Sequence, residues 1–133
     1  MKKILILFLV IVLSGCLSVN TSDPEKAFAH WAGYKPPKSF EFFNGEFYQS
    51  PHFFLEYEVY LKFRTTKEWW NEFIELNNLQ IDNDSWSKRT DAPEWFKPYK
   101  AYIKYSNNDD FDNSRYFIHK ESGICYIYES VGM

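Results

Sequence analysis

Apolar and polar positions alternate most regularly over residues 53–64. A repeat of two residues indicates a half-buried β-strand. One face of this strand carries Phe53, Leu55, Tyr57, Val59, Leu61 and Phe63, and the other carries Glu56, Glu58, Lys62 and Arg64. The first set is expected to face the core, and the second is expected to be the polar face.

The spacing then changes to that of a helix. Thr65 and Glu68 stand in the positions of a capping box, with Thr65 as the N-cap. An apolar stripe follows at helical spacing, and Asn77 and Asn78 end the helix; the stripe consists of Trp69, Trp70, Phe73, Ile74 and Leu76. This strand and helix are predicted to form the core of the domain.

A shorter helix is predicted nearer the N-terminus, over residues 24–32. Asp23 has the character of an N-cap, Pro24 suits the first helical position, and Gly33 suits the C-terminal stop. Within residues 40–48, Asn44-Gly45 lies between aromatic pairs, which predicts a β-hairpin about that dipeptide.

The second half of the chain is predicted to add strands over residues 99–105, 115–120 and 124–129, the last two joined by a hairpin about residues 121–123. Residues 81–98 form a polar connection and then a Pro-bracketed turn, whose aromatic side chains are expected to cover the end of the sheet. The predicted class is α+β: an antiparallel sheet of four to six strands, one main helix on one face, and the short N-terminal helix.

The N-terminus has the pattern of an export signal. Lys2 and Lys3 precede an unbroken apolar run over residues 4–13, which is too short to cross a bilayer, since a spanning helix needs about 20 such residues. Leu13-Ser14-Gly15-Cys16 then resembles the lipobox of bacterial lipoproteins. That resemblance implies cleavage before Cys16 and lipid on its thiol. The predicted parts are a signal peptide (1–15), a lipidated tether (16–23) and one domain (24–133).

The resemblance to a lipoprotein also implies a location. The lipid would hold the protein at the cell membrane or the outer membrane, exposed outside the cytoplasm. In enteric-type bacteria an Asp after the lipidated Cys resembles an inner-membrane retention signal, so Leu17 favours the outer membrane there. In a single-membrane bacterium the protein would face outward instead. Two or more acyl chains give stable anchoring.

Composition and charge narrow the classes of partner. Aromatic residues make up 21% of the chain, which argues against disorder. The net charge of −3 becomes −5 once Lys2 and Lys3 leave with the signal. Nucleic-acid binders normally carry a basic patch, so nucleic acid is not an expected partner.

The cysteine and histidine side chains show no catalytic pattern. Cys125 would be the only thiol left after lipidation, and it reads as a small buried residue of the last strand. The three histidines, His30, His52 and His119, lie far apart and lack the spacing of zinc ligands. We therefore expect neither a catalytic residue nor a metal site among them.

Two groups of acidic residues give only weak signals of a calcium site or a catalytic site. Asp110, Asp112, Ser114 and Glu121 match part of a calcium-binding EF-hand loop, but Arg115 stands where that loop requires glycine. Glu56 and Glu58 share a strand face with two basic residues, which favours a solvated face over a paired catalytic site. No cofactor is expected.

The aromatic residues remain the best functional signal. A small core is not expected to absorb all of six aromatic residues: Trp31, Tyr34, Tyr60, Trp86, Trp95 and Phe96. Four of them, Tyr34, Trp86, Trp95 and Phe96, form the candidate binding surface. The expected function is a non-enzymatic binding or inhibitory module for a protein partner, of the immunity or exclusion type. The alternatives are a module that binds envelope glycan and, less favoured, a hydrolase with scattered catalytic residues.

Overall fold

The computed structural model describes residues 18–51 and 56–132, which form a seven-stranded antiparallel sheet and two helices. The spatial order of the strands is β1-β2-β3-β7-β6-β5-β4, so the last strand of the chain lies at the centre. In chain order the elements are β1 (Val19–Thr21), α1 (Pro24–Ala32), β2 (Glu41–Gln49), β3 (Tyr57–Arg64), α2 (Lys67–Leu76), β4 (Gln80–Ile81), β5 (Ile103–Ser106), β6 (Arg115–Ile118) and β7 (Ile124–Val131).

The predicted fold class is wrong. The described part of the chain is mostly β, with seven strands instead of four to six, and its two helices are of similar length, nine and ten residues. Two of the strands that were not predicted, β1 and β4, have three and two residues. Such strands are too short to show an alternating pattern.

The predicted hairpin about Asn44-Gly45 is also wrong, because residues 41–49 form the single strand β2 with a register shift between Phe42 and Asn44. Gly45 does not form a turn; it lets the backbone of β2 lie close to the start of α1. A Cβ atom there would lie 2.7 Å from the Cα of Pro24, at the start of α1. The glycine therefore lets α1 begin directly against the sheet.

The helix predicted over residues 24–32 is confirmed as α1. The Asp23 side chain accepts hydrogen bonds from the backbone N–H groups of Glu25 and Lys26. Gly33 ends the helix with a φ of 83°, in the left-handed region that favours glycine. These are local signals, and the local sequence is enough to place the helix.

Helix α2 is confirmed, but its cap is one residue later than predicted. Thr66, not Thr65, is the N-cap, and its hydroxyl oxygen accepts from the backbone N–H of Trp69. The backbone N–H of Thr65 donates to the carbonyl of Gly123, which ties the end of β3 to the β6–β7 turn. Leu76 is the last helical residue, and Asn77 caps the C-terminus.

Both faces of the sheet are covered. Helices α1 and α2 pack on one face, over a core that includes Val59, Leu61 and Phe63 of β3. The other face carries Tyr60, which is buried with Phe96 and three aromatic residues of β6 and β7. The expectation that this second face is polar is therefore wrong. Residues Phe53 and Leu55 of the predicted strand lie outside the described residues.

The first strand of the described residues lies within the segment predicted as a tether. Val19, Asn20 and Thr21 pair with residues 47–49 of β2, so the structure places these residues in the sheet. The predicted signal peptide and Cys16 lie outside the described residues. Within residues 18–51 and 56–132, neither helix has the length and apolar character needed to cross a membrane.

Candidate binding site

A cavity of about 630 Å³ lies between the two helices, over the β7 end of the helix-covered face. This volume is within the range of roughly 300–1,000 Å³ that is usual for ligand sites. Five aromatic side chains line it: Trp31, Tyr34, Tyr57, Trp69 and Phe73. The remaining lining residues include two carboxylates, Glu72 and Glu129.

The carboxylate of Glu129 is held by three donors from three other elements. Its Oε2 atom accepts from the Trp31 indole N–H at 2.6 Å and from the Tyr57 hydroxyl at 2.5 Å. Its Oε1 atom accepts from the Tyr116 hydroxyl at 2.6 Å. Contacts from α1, β3 and β6 therefore fix this side chain of β7, so its position does not depend on a ligand.

Tyr57 and Tyr116 stay protonated and therefore remain hydrogen-bond donors to Glu129. Burial, reinforced by the hydrogen bond to the Glu129 carboxylate, raises the pKa of Tyr57 well above its ordinary value. Burial and the negative charge of Glu129 raise the pKa of Tyr116 in the same direction. Both phenols therefore keep their protons throughout the physiological range.

No positive charge in the described part of the chain balances Glu129. No lysine, arginine or histidine nitrogen of those residues lies within 4.0 Å of its oxygens, although five ion pairs form elsewhere. Among the residues that the structure describes, no basic one lines the cavity. A carboxylate has about four acceptor positions, and three of them are filled here. One acceptor position, on Oε1, has no donor among the described residues.

The aromatic walls are held in fixed positions. The rings of Trp69 and Phe73, both on α2, stack with centroids 5.1 Å apart and planes 7° from parallel. The Trp69 indole N–H donates to the hydroxyl of Tyr34 at 2.8 Å. Tyr34 is 49% exposed, and Leu76 at the same opening is 72% exposed. The opening thus presents apolar surface to the solvent.

Comparisons of the chain with protein-family models, with curated proteins and with solved structures found no match. The site is characterised by its own geometry: a carboxylate fixed by three donors in a cavity with aromatic walls.

The four residues predicted as a binding surface do not lie together. Tyr34 lines the cavity, whereas Trp86, Trp95 and Phe96 pack against the opposite face of the sheet. Phe96 has 0% exposure and cannot contribute to a surface. Trp86 is half-buried, and its indole N–H donates to the Oδ1 atom of Asn113 at 3.0 Å. Three of the four are therefore part of the second core.

Glu129, Trp69 and Phe73 were not predicted as site residues from the sequence. One signal points to the first of these. Residues 125, 127 and 129 of β7 share a face, and the first two, Cys125 and Ile127, are fully buried. A carboxylate that continues a buried face is unusual, because burial of a charge is costly without partners. Such a residue indicates a fixed polar site.

The remaining candidates have structural positions. Cys125 is fully buried, and burial raises the pKa of its thiol, so the group is unreactive in the folded protein. Asp112 caps its own loop by accepting from the backbone N–H of Ser114, and β6 begins at Arg115. Within residues 18–51 and 56–132, no three His, Cys, Asp or Glu side chains are grouped so as to hold a metal ion.

The two glutamates of the predicted polar face do not act as a pair. Glu58 lies 3.5 Å from Arg89; burial raises the pKa of its carboxyl, and the arginine opposes that shift. Glu56 accepts from the hydroxyl of Ser50. Among the histidines, His30 stacks on Phe47 and His119 bonds to the Ser122 hydroxyl, while His52 lies outside the described residues.

Proposed function

We propose that this chain is an envelope lipoprotein, anchored through lipid on Cys16, that acts as a non-enzymatic binding or inhibitory module for a protein partner. The partner would be engaged at the cavity between α1 and α2. The observation that carries the proposal is the Glu129 carboxylate, which is fixed by three donors beside aromatic walls and forms no ion pair with any of the described residues.

Preorganisation favours binding. A site whose side chains are already ordered loses little conformational entropy when a ligand enters, so more of the contact energy appears as affinity. Here the donors to Glu129 come from a helix and two strands of a single sheet. Trp69 and Tyr34 are joined by a further hydrogen bond across the opening.

The opening of the cavity fits a protein surface. Tyr34 and Leu76 add exposed apolar area beside the aromatic walls. Tyrosine and tryptophan are enriched among the residues that dominate protein interfaces, because they supply large contact areas with few rotatable bonds. A partner could thus place one side chain in the cavity and cover the surrounding opening.

The lipid anchor is the first part to test. Labelled palmitate is expected to enter the wild-type protein, while Cys16→Ser is expected to remain unlabelled and at precursor size, because the thiol is the acceptor of the lipid. Metabolic labelling and membrane fractionation measure both effects. A Ser variant that still matures and fractionates with membranes would contradict the anchor.

The binding surface is tested with a photocrosslinking amino acid in place of Leu76. In the native envelope we expect a discrete protein adduct from this position, and its loss when Glu129→Gln is added. The matched control replaces Tyr99, which is 61% exposed and does not line the cavity. The same adduct from both positions, or one that survives Glu129→Gln, counts against the proposed site. An adduct with glycan would favour the glycan-binding alternative.

A further inference from the structure

We propose, on the basis of the proposed function, that the cavity accepts a primary ammonium group, the side chain of a lysine on the protein partner. The charge of the cavity favours a cation. Two carboxylates, Glu72 and Glu129, line the cavity, and no basic residue within 18–51 and 56–132 does. The donors that hold Glu129 are neutral, so they satisfy its oxygens without balancing its charge. A partly buried anion of this kind is best complemented by a cation.

The walls of the cavity also suit an ammonium group. The face of an aromatic ring attracts a cation through its quadrupole, and cages of aromatic side chains are a recurrent way to bind ammonium groups. Trp31, Trp69 and Phe73 supply such rings here, and Leu76 supplies apolar surface at the opening. An alkylammonium chain matches both parts, since its stem is apolar and its head is charged.

The hydrogen bonds already made by Glu129 favour lysine over arginine. A guanidinium binds a carboxylate best through two parallel N–H···O bonds, one to each oxygen. Oε2 of Glu129 already accepts two hydrogen bonds and Oε1 accepts one. A single acceptor position is left, which suits the point charge of an ammonium group better than the fork of a guanidinium.

The test uses the full chain in detergent micelles, with the indole N–H signals of its tryptophans followed by ¹H–¹⁵N NMR. The probe is Nα-acetyl-lysine methylamide, compared with the norleucine and arginine analogues and with an N-acetylglucosamine trimer. We expect the lysine probe to shift the Trp31 and Trp69 signals saturably and to bind at least about 10-fold more tightly than norleucine. Trp86, on the other face of the sheet, is the internal control.

Three variants, each of which neutralises one glutamate, test where the lysine probe binds. Glu129→Gln is expected to weaken lysine binding by about 10-fold or more, because it removes the charge and keeps the shape. Glu72→Gln is expected to weaken it less, since Glu72 is exposed. Glu121→Gln, in the exposed β6–β7 turn, is expected to leave binding unchanged. If Glu129→Gln does not fold, Leu76→Lys replaces it, because a lysine of the chain's own at the opening would compete with the probe.

The outcomes distinguish this inference from the proposed function. Equal binding of the norleucine and lysine probes, tighter binding of the arginine probe, or no shift with any probe overturns the assignment of an ammonium group. Binding of the N-acetylglucosamine trimer in place of lysine overturns it too, but leaves the cavity as a binding site. If lysine binds as expected while Leu76 gives no protein adduct, the cavity chemistry stands and the protein partner is wrong.

Discussion

Replacement of Phe28 by alanine is expected to lower the free energy of unfolding by about 3–5 kcal/mol. Phe28 is fully buried, and its ring centroid lies within 6.1 Å of six other aromatic rings, five of them packed edge-on. These rings belong to Trp31, Tyr34, Phe40, Phe42, Phe63 and Trp69. Loss of the side chain leaves a cavity that this many rigid neighbours cannot close.

Urea denaturation of the purified chain measures the change. Phe111→Ala is the matched control, because it removes the same side chain from a position that is 100% exposed. The control is expected to stay within about 0.5 kcal/mol of wild type. Similar stabilities for the two variants would mean that α1 does not pack on the sheet as described.

Phe96→Ala is expected to cost about 3–5 kcal/mol as well, from the opposite side of the sheet. Phe96 has no exposed surface, and its ring lies 5.2 Å from the rings of Tyr60 and Tyr126. It is the buried centre of the segment that joins β4 to β5 and covers this face. Its removal should expose the tyrosines beneath and loosen the whole segment.

The control for Phe96 is Tyr99→Ala, which removes a 61% exposed ring from the same segment and is expected to cost less than about 1 kcal/mol. For both variants, urea denaturation measures the free energy of unfolding, and NMR titration measures binding of the Nα-acetyl-lysine methylamide probe. The candidate surface predicted from sequence would give the opposite result for Phe96→Ala, with weaker binding and unchanged stability.

Local signals in the sequence were enough for the helices. Asp23, Pro24 and Gly33 each have a chemical role at a helix end, so α1 could be placed to the residue. At α2 two adjacent threonines offered the same cap, and the sequence could not distinguish them. The strand pairing of β6 with β7 was also predicted, because a short turn with glycine joins them.

The second covered face could not be predicted in the same way. Along β3 the even positions read as polar, since Glu58, Lys62 and Arg64 surround Tyr60. A tyrosine can serve on either kind of face, because its ring is apolar and its hydroxyl is polar. Whether that face is buried depends on residues 82–102, whose packing leaves no periodic pattern.

The site is a property of the tertiary fold. The three donors to Glu129 lie 98, 72 and 13 residues away from it in sequence. No motif of fixed spacing could bring them together, and aromatic residues elsewhere in the chain gave an equally strong local signal. Only the charged residue on the buried face of β7 could have pointed to it.

The central position of β7 has a kinetic consequence. Its partner β3 lies at least 60 residues earlier in the chain, and both cores need β7 residues, which include Ile127 on one face and Tyr128 on the other. A chain that emerges N-terminus first therefore cannot close either core until β7 has left the ribosome. Folding dominated by such distant contacts is slow, which would leave an unfolded chain time for the export that the proposed function requires.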